Sequence, residues 1–318
     1  MPVRAISLDE LNCALRASSA DSGSGSVEHQ ELRDWCASLE TGSILYFPQT
    51  PLPIPLEEQE FLRRLQQSRN GSHKNIAYKP NSDKLTGVDS KSLSGAEIGQ
   101  LHAIMRRYSE SVAEFLSVFL APYGKRWRLD YASYRPIEEQ GRDLPARRRN
   151  DLLHADAFPT GPTGGRRILR FFHNIHSNRT RDWVVAEPFP RVIGAFAPGK
   201  LPLPRPDGPL ARAGKRLAQA TGLASLVPDL KRSPYDAFMM QLHNSMKEDA
   251  AFQSECRKEE VKFAPGSSWM VYTETVPHSV IAGQYALEQS FLVEPEAMVV
   301  PGSAPVNVLE SMVGARLV

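Results

Sequence analysis

Apolar positions follow helical spacing through the first 120 or so residues, and then break into short runs of strand length. Ile98, Leu101, Met105, Tyr108, Val112, Phe115 and Phe119 recur at intervals of three and four, which puts them on one face of a long helix. Ser94 and Glu97 open it as a capping box, the serine oxygen accepting from the amide three residues on while the carboxylate reaches back. Residues 8–17 and 28–40 and the stretch LEEQEFLRRLQQ predict shorter helices. Between the first two lies ASSADSGSGSVE, a Ser/Gly linker with too little apolar surface to order itself, so the first 25 residues are expected to be mobile. GSILYF predicts a short strand before a Pro-rich connection, and SHKNIAYKPNSDKLTG a polar loop.

From WRLDYASYRP onward the pattern predicts strands over residues 126–135, 151–158, 167–175, 183–186, 268–273 and 286–293. Residues 197–235, rich in Pro, Gly, Lys and Arg, interrupt them, and DAFMMQLHNSMKEDAAFQSE then reads as an amphipathic helix. Together these predict an α+β chain whose core is a double-stranded β-helix (a jelly roll, cupin-like) with N-terminal and inserted helices. The expected organisation is an N-terminal segment over 1–40, partly flexible, a single jelly-roll domain over 41–300 with a helical insertion at about 197–260, and a C-terminal tail over 301–318.

A hydrophobic share of 41% over 318 residues is enough for a core. With 38 Lys and Arg against 36 Asp and Glu, the net charge of +2 gives no overall attraction for nucleic acid or a membrane. Cys13, Cys36 and Cys256 lack metal or disulfide spacing, which suits a reducing compartment. No signal peptide opens the chain and no run of about 18 apolar residues occurs, so the expected location is cytoplasmic, with at most peripheral membrane contact.

Candidate chemistry enters at NDLLHADAFPT. In an extended segment, residues i and i+2 share a face, so His154 and Asp156 would present an imidazole and a carboxylate side by side. With 8 histidines in the chain such a pair arises readily by chance and needs a distant third ligand. FAPGSSWMVYTETVPHSVIAGQ supplies the best one, a Pro-Gly turn and a strand ending near His278. His29, His73, His102, His173, His176 and His243 read as structural or solvated. Two histidines and one carboxylate form the facial triad of non-heme Fe(II) oxygenases, whose open positions take dioxygen and a chelating cosubstrate such as 2-oxoglutarate.

The far carboxylate of 2-oxoglutarate needs a cation, and arginine grips a carboxylate with two hydrogen bonds. The strand after His278, YALEQSFLV, has none. Arg170, among apolar residues in RRILRFFHN, must have an anionic partner, either cosubstrate or a protein carboxylate. Arg135 is the second candidate and Arg167 a weaker third. Arg147, Arg148 and Arg149 lie immediately before the metal segment, a charge run of the kind that is usually a solvated face.

The stretches LYFPQTPL, SHKNIAY, SYRPIEEQGR, NDLLHADAFPTGPTGGRRILRFFHNI, YDAFMMQLHNSMK and PGSSWMVYTETVPHSVIAGQYALEQSF resemble the Kdo hydroxylase family over residues 40–300. The resemblance implies an Fe(II)/2-oxoglutarate/O2-dependent dioxygenase that hydroxylates C3 of 3-deoxy-D-manno-oct-2-ulosonic acid (Kdo) to give Ko, in the lipopolysaccharide inner core. The implied partner is a Kdo-bearing lipid A precursor at the inner membrane, with no nucleic acid. It implies His154, Asp156 and His278 as iron ligands and Arg135 and Arg170 as cosubstrate contacts; for such a substrate, Arg147, Arg148 and Arg149 read equally as a solvated face or as attraction for the anionic acceptor, and Lys74 and Asn75 are polar enough for sugar hydroxyls. Two other readings fit the residues alone: an oxygenase of the same chemistry acting on another sugar acid or small molecule, and a non-catalytic jelly-roll sugar-binding module. Zinc hydrolysis is weaker, since no HExxH or Cys/His cluster is present.

Overall fold

The structure, a computed structural model, describes residues 3–20, 28–65, 75–89, 91–158, 161–196, 199–221 and 232–318. In chain order its elements are β1 (Val3–Ala5), α1 (Leu8–Ala20), α2 (Glu28–Glu40), β2 (Ile44–Phe47), α3 (Leu56–Arg64), β3 (Ile76–Lys79), β4 (Lys84–Thr86), α4 (Gly95–Phe119) and β5 (Trp127–Arg135). There follow β6 (Arg167–Asn174), β7 (Arg181–Ala186), α5 (Phe189–Phe196), α6 (Pro209–Ala220), α7 (Pro234–Glu248), α8 (Ala250–Glu255), β8 (Lys258–Phe263), β9 (Ser268–Tyr272), β10 (His278–Ala282), β11 (Ala286–Val293) and α9 (Pro305–Val313). A large sheet runs β1-β2-β9-β6-β11-β5-β3-β4, and a small one β10-β7-β8.

The two faces of the large sheet bury different things, because successive strand side chains alternate. On β6, Phe171 meets Phe47 of β2 and Phe115 of α4, inside the core shared with the helical layer. Its neighbour Phe172 faces the small sheet, stacking on Trp269 with centroids 5.1 Å apart and edge-on to Trp183 at 5.0 Å. Trp183, Val185, Phe263, Val271 and Val280 complete this second core between the sheets. Burial on both faces explains why β6 and β11 read as continuous apolar runs with embedded polar residues.

Helix α4 starts on the expected capping box, Ser94 Oγ accepting from the Glu97 amide at 3.3 Å and the Glu97 carboxylate from the Ser94 amide at 2.8 Å. Strands β5, β6, β9 and β11 lie where the pattern predicts them. Residues 151–158 do not form the expected strand. His154 makes an isolated antiparallel bridge with His278, and the Asp156 amide then donates to Thr273 O at 2.9 Å, so the segment crosses between two partners without a continuous neighbour. His278 does not end the strand after the Pro-Gly turn; it begins a separate one, β10, in the small sheet.

The stretch expected as a polar loop contains the β3–β4 hairpin, turned at Asp83 in the left-handed region (φ 48°). The predicted helix after residue 235 is split into α7 and α8 at Asp249, whose side chain accepts from the Phe252 amide at 3.0 Å. Mobility was the expectation for the first 25 residues, yet β1 pairs in parallel with β2, and Ile6, Leu11 and Ala14 are buried in the main core. Part of the Ser/Gly linker lies outside the described residues. Past residue 300, α9 buries Val306 and Leu309 against the same core.

Candidate metal centre

The bridge between His154 and His278 makes the centre possible. Their amides exchange hydrogen bonds, His154 N to His278 O at 3.1 Å and His278 N to His154 O at 2.9 Å, which brings the two rings to a centroid distance of 4.9 Å. Each ring's Nδ1 bonds the carbonyl two residues earlier, Leu152 O at 2.8 Å and Val276 O at 2.9 Å. With Nδ1 donating, Nε2 is left with its lone pair in both rings. Asp156, two residues on from His154 in extended chain, sets Oδ1 3.6 Å from His154 Nε2. One donor atom from each of His154, Asp156 and His278 lies within 4.8 Å of the others.

Electrostatics keep these groups in their ligating forms. Burial, with His278 and Lys247 nearby, holds the His154 imidazole well below its usual range, and burial likewise depresses His278. Burial alone would raise the Asp156 carboxyl, but the Arg170 guanidinium at 2.9 Å holds it far below the ordinary carboxylate range. Two neutral imidazoles and one ionised carboxylate fit Fe(II) in a 2-His-1-carboxylate site.

Glu288 of β11 organises the arginines. Arg170 spans two carboxylates, Nη2 to Asp156 Oδ2 at 2.9 Å and Nη1 to Glu288 Oε1 at 2.5 Å. Arg135 donates from Nε to Glu288 Oε2 at 3.1 Å and from Nη2 to the same oxygen. Ser133 and Ser290 hydroxyls complete the set at 3.0 and 2.8 Å. Burial works to raise Glu288, and the two guanidiniums outweigh it, bringing the carboxyl down to about 2. The salt-bridge reading of Arg170 is therefore realised in the protein itself. Arg167 is not in the cleft: three residues before Arg170, it points to the other face of β6, bonded to Glu274 at 2.9 Å and packed 3.8 Å from the Tyr272 ring.

Several groups join the site that sequence spacing left out. Trp183 stacks on His278, with centroids 4.8 Å apart. His243, expected as structural or solvated, bonds Ala155 O through Nδ1 at 2.8 Å and lies edge-on to His154 at 4.9 Å. Lys247, one helical turn later on α7, shares its face, and that i, i+4 spacing was the available signal. Arg181 is fully buried; its Nη1 donates to Gly283 O at 3.1 Å, while Nε and Nη2 make no hydrogen bond. Its nearest carboxylate contact is Glu139, at 3.8 Å. Burial brings its guanidinium down to about 10. Gly283 (φ 127°) permits the seat, since a Cβ there would stand 2.8 Å from Arg181 Cγ.

These side chains line one cleft of about 670 Å³, which also exposes Asn75, Tyr131, Arg147 and Arg148. Lys74 lies outside the described residues. Arg147 pairs with Glu248 at 2.6 Å, Arg149 bonds Asp151 at 3.0 Å and Arg166 pairs with Glu294 at 2.6 Å, so part of the basic run is locally neutralised.

Residues 23–316 match the 3-deoxy-D-manno-oct-2-ulosonic acid (Kdo) hydroxylase family. Among solved structures, the apo form of the Kdo hydroxylase KdoO, a non-heme Fe(II) alpha-ketoglutarate-dependent dioxygenase, is 34% identical and superposes with a TM-score of 0.79 over 100% of this chain and 98% of its own. The KdoO complex with cobalt(II) is 32% identical with a TM-score of 0.79, covering 100% and 98%. The KdoO complex with alpha-ketoglutarate and Fe(III) is 32% identical with a TM-score of 0.77, covering 99% and 97%. No curated protein sequence matches the chain.

Proposed function

The chain belongs to the Kdo hydroxylase family, and from that premise we propose that it is an Fe(II)/2-oxoglutarate-dependent dioxygenase that hydroxylates C3 of Kdo to Ko on a lipid A precursor of the lipopolysaccharide inner core. The observation that carries the reading is the convergence of His154, Asp156 and His278 in a cleft lined by strands of both sheets. These three would hold the iron. Iron bound there would let 2-oxoglutarate and dioxygen supply the oxidising power that replaces a C–H hydrogen by hydroxyl, one oxygen atom of dioxygen going to the product and the other to succinate as carbon dioxide leaves.

The protein's own part is orientation and charge. The Nδ1 bonds to Leu152 O and Val276 O fix both imidazole planes, and Trp183 closes one side of His278. Arg170 aligns the Asp156 carboxylate by occupying Oδ2, which leaves Oδ1 for the metal. Arg135 and Arg170 are assigned to the cosubstrate, with Glu288 between them holding their planes. Arg181 joins them: two buried nitrogens that make no hydrogen bond, with Glu139 no nearer than 3.8 Å, suit a carboxylate in the same cleft. Among the described residues no helix is long and apolar enough to cross a membrane; because the acceptor is a membrane glycolipid, we place the enzyme at the cytoplasmic face of the inner membrane in peripheral contact.

The test is anaerobic Fe(II) reconstitution, then dioxygen and 2-oxoglutarate with and without a Kdo-bearing lipid A precursor, following succinate and the mass of the lipid. Succinate matched by one added oxygen on the Kdo, with the position fixed by NMR, is the expected result. Succinate released at the same slow rate with or without the lipid rejects this acceptor in favour of another. No succinate at all rejects the oxygenase.

A further inference from the structure

A sugar acid such as Kdo carries its carboxylate on the carbon next to C3, so placing C3 at the metal places an anion there too. Such a group must meet a cation close to the triad that the cosubstrate does not use. Arg135, Arg170 and Arg181 are given to the cosubstrate in the proposed Kdo reading, the first two also paired with Glu288 and Asp156. Lys247 differs. It lines the same cleft, is 5% exposed, and spends one donor on Arg147 O at 3.2 Å, with no ion pair among the described residues. An ammonium has three donors, so two remain for the cleft.

Its position in the fold fits a role in acceptor choice. Arg135 and Arg170 stand on strands of the jelly roll, which suits the cosubstrate, whereas Lys247 comes from α7 in the helical insertion. On that helix His243 precedes it by one turn and reaches Ala155 O between the two ligands, fixing the α7 face against the metal segment. Burial lowers the Lys247 ammonium to about 8, with Asp156, Asp151 and Glu139 partly offsetting that, so it stays mostly charged at neutral pH.

Resting on the proposed Kdo reading, we infer that Lys247 binds the carboxylate of the acceptor sugar and so selects a sugar acid over a neutral sugar. It is a specificity-determining contact supplied by the insertion. The bland alternative is that the Lys247–Arg147 bond merely ties α7 to the turn at Ala146–Arg148.

The experiment compares Lys247→Gln and Lys247→Arg with the wild-type chain on two acceptors: the Kdo-bearing lipid A precursor, and the same lipid with its Kdo carboxylate capped as the amide. A charge-assisted hydrogen bond predicts that Lys247→Gln raises KM on the acid by about 10- to 100-fold. On the amide, where wild type has already lost that contact, variant and wild type should agree within about threefold. Lys247→Arg should keep much of the preference for the acid, and carries the test alone if the Gln variant does not fold. Equal losses on both acceptors would leave Lys247 a structural tie and overturn the inference, as would an unchanged KM on the acid. If wild type does not hydroxylate the acid at all, the Kdo reading itself has failed, and this inference with it.

Discussion

Glu288 accepts hydrogen bonds from two guanidiniums and two hydroxyls while fully buried, which makes it the residue with most to lose. Removing one partner of a buried ion pair leaves the others uncompensated, at a cost of about 3–5 kcal/mol. Glu288→Gln keeps the shape but not the charge, so a loss of about 3 kcal/mol in urea denaturation is expected, together with a raised 2-oxoglutarate KM as Arg135 and Arg170 lose their fixed planes. Unchanged stability and KM would remove Glu288 from the site. Arg170→Ala is expected to do more than weaken cosubstrate binding, because it strips a partner from both Asp156 and Glu288.

His173, on the helix-facing side of β6, gives a pH signature. It is buried, its Nδ1 has no partner, and burial lowers it to about 4 from 6.5. Between those values the unfolded chain binds a proton that the folded chain does not, so stability is intact above pH 6.5 and falls as pH drops towards 4, by about 3 kcal/mol in all. His173→Phe should flatten that part of the stability profile, measured as the difference from wild type. A parallel profile would refute the assignment.

At the scale of elements, the capping boxes of α4 and α7 make different contributions. Ser94 caps only α4, and Ser94→Ala should cost about 1 kcal/mol by thermal or urea unfolding. Asp236 belongs to the box of α7 and also accepts from the Thr163 and Gly164 amides at 2.8 and 3.2 Å, tying the chain before β6 to α7. Asp236→Ala should therefore cost two to three times as much, since the buried Thr163 amide and the Gly164 amide lose their acceptor as well as the helix its cap. Equal costs would mean that this tie contributes nothing. Because α7 carries His243 and Lys247, loosening it should reach the cleft too.

For the whole molecule, a metal that binds only the folded chain must stabilise it. Three ligands drawn from a bridge and a separate strand have no such arrangement in the unfolded state. Fe(II) under anaerobic conditions, at about 100 times its Kd, should add about 2.7 kcal/mol and raise the unfolding midpoint, and a chelator should reverse this. A variant lacking His154, Asp156 and His278 side chains should show no metal-dependent shift. A shift that persists would locate the metal elsewhere.

How much of this was legible in the chain follows the range of the forces concerned. Helix α4 and its cap, the strands β5, β6, β9 and β11, and the pair His154 and Asp156 rest on interactions within a few residues, which periodicity and spacing encode directly. His278 was legible as a residue type beside a strand, though not as the first residue of β10. Partners of the arginines were not, because they depend on register between strands more than a hundred residues apart: Glu288 meets both Arg135 and Arg170 only once β5, β11 and β6 are adjacent. Sheet-face alternation then separates Arg170 from Arg167, one turned to the cleft and the other into the opposite core. Lys247, His243 and Arg181 became part of the site for the same reason. Residue types and local order are fixed by the sequence, while which buried charge faces which is decided only when distant segments pack.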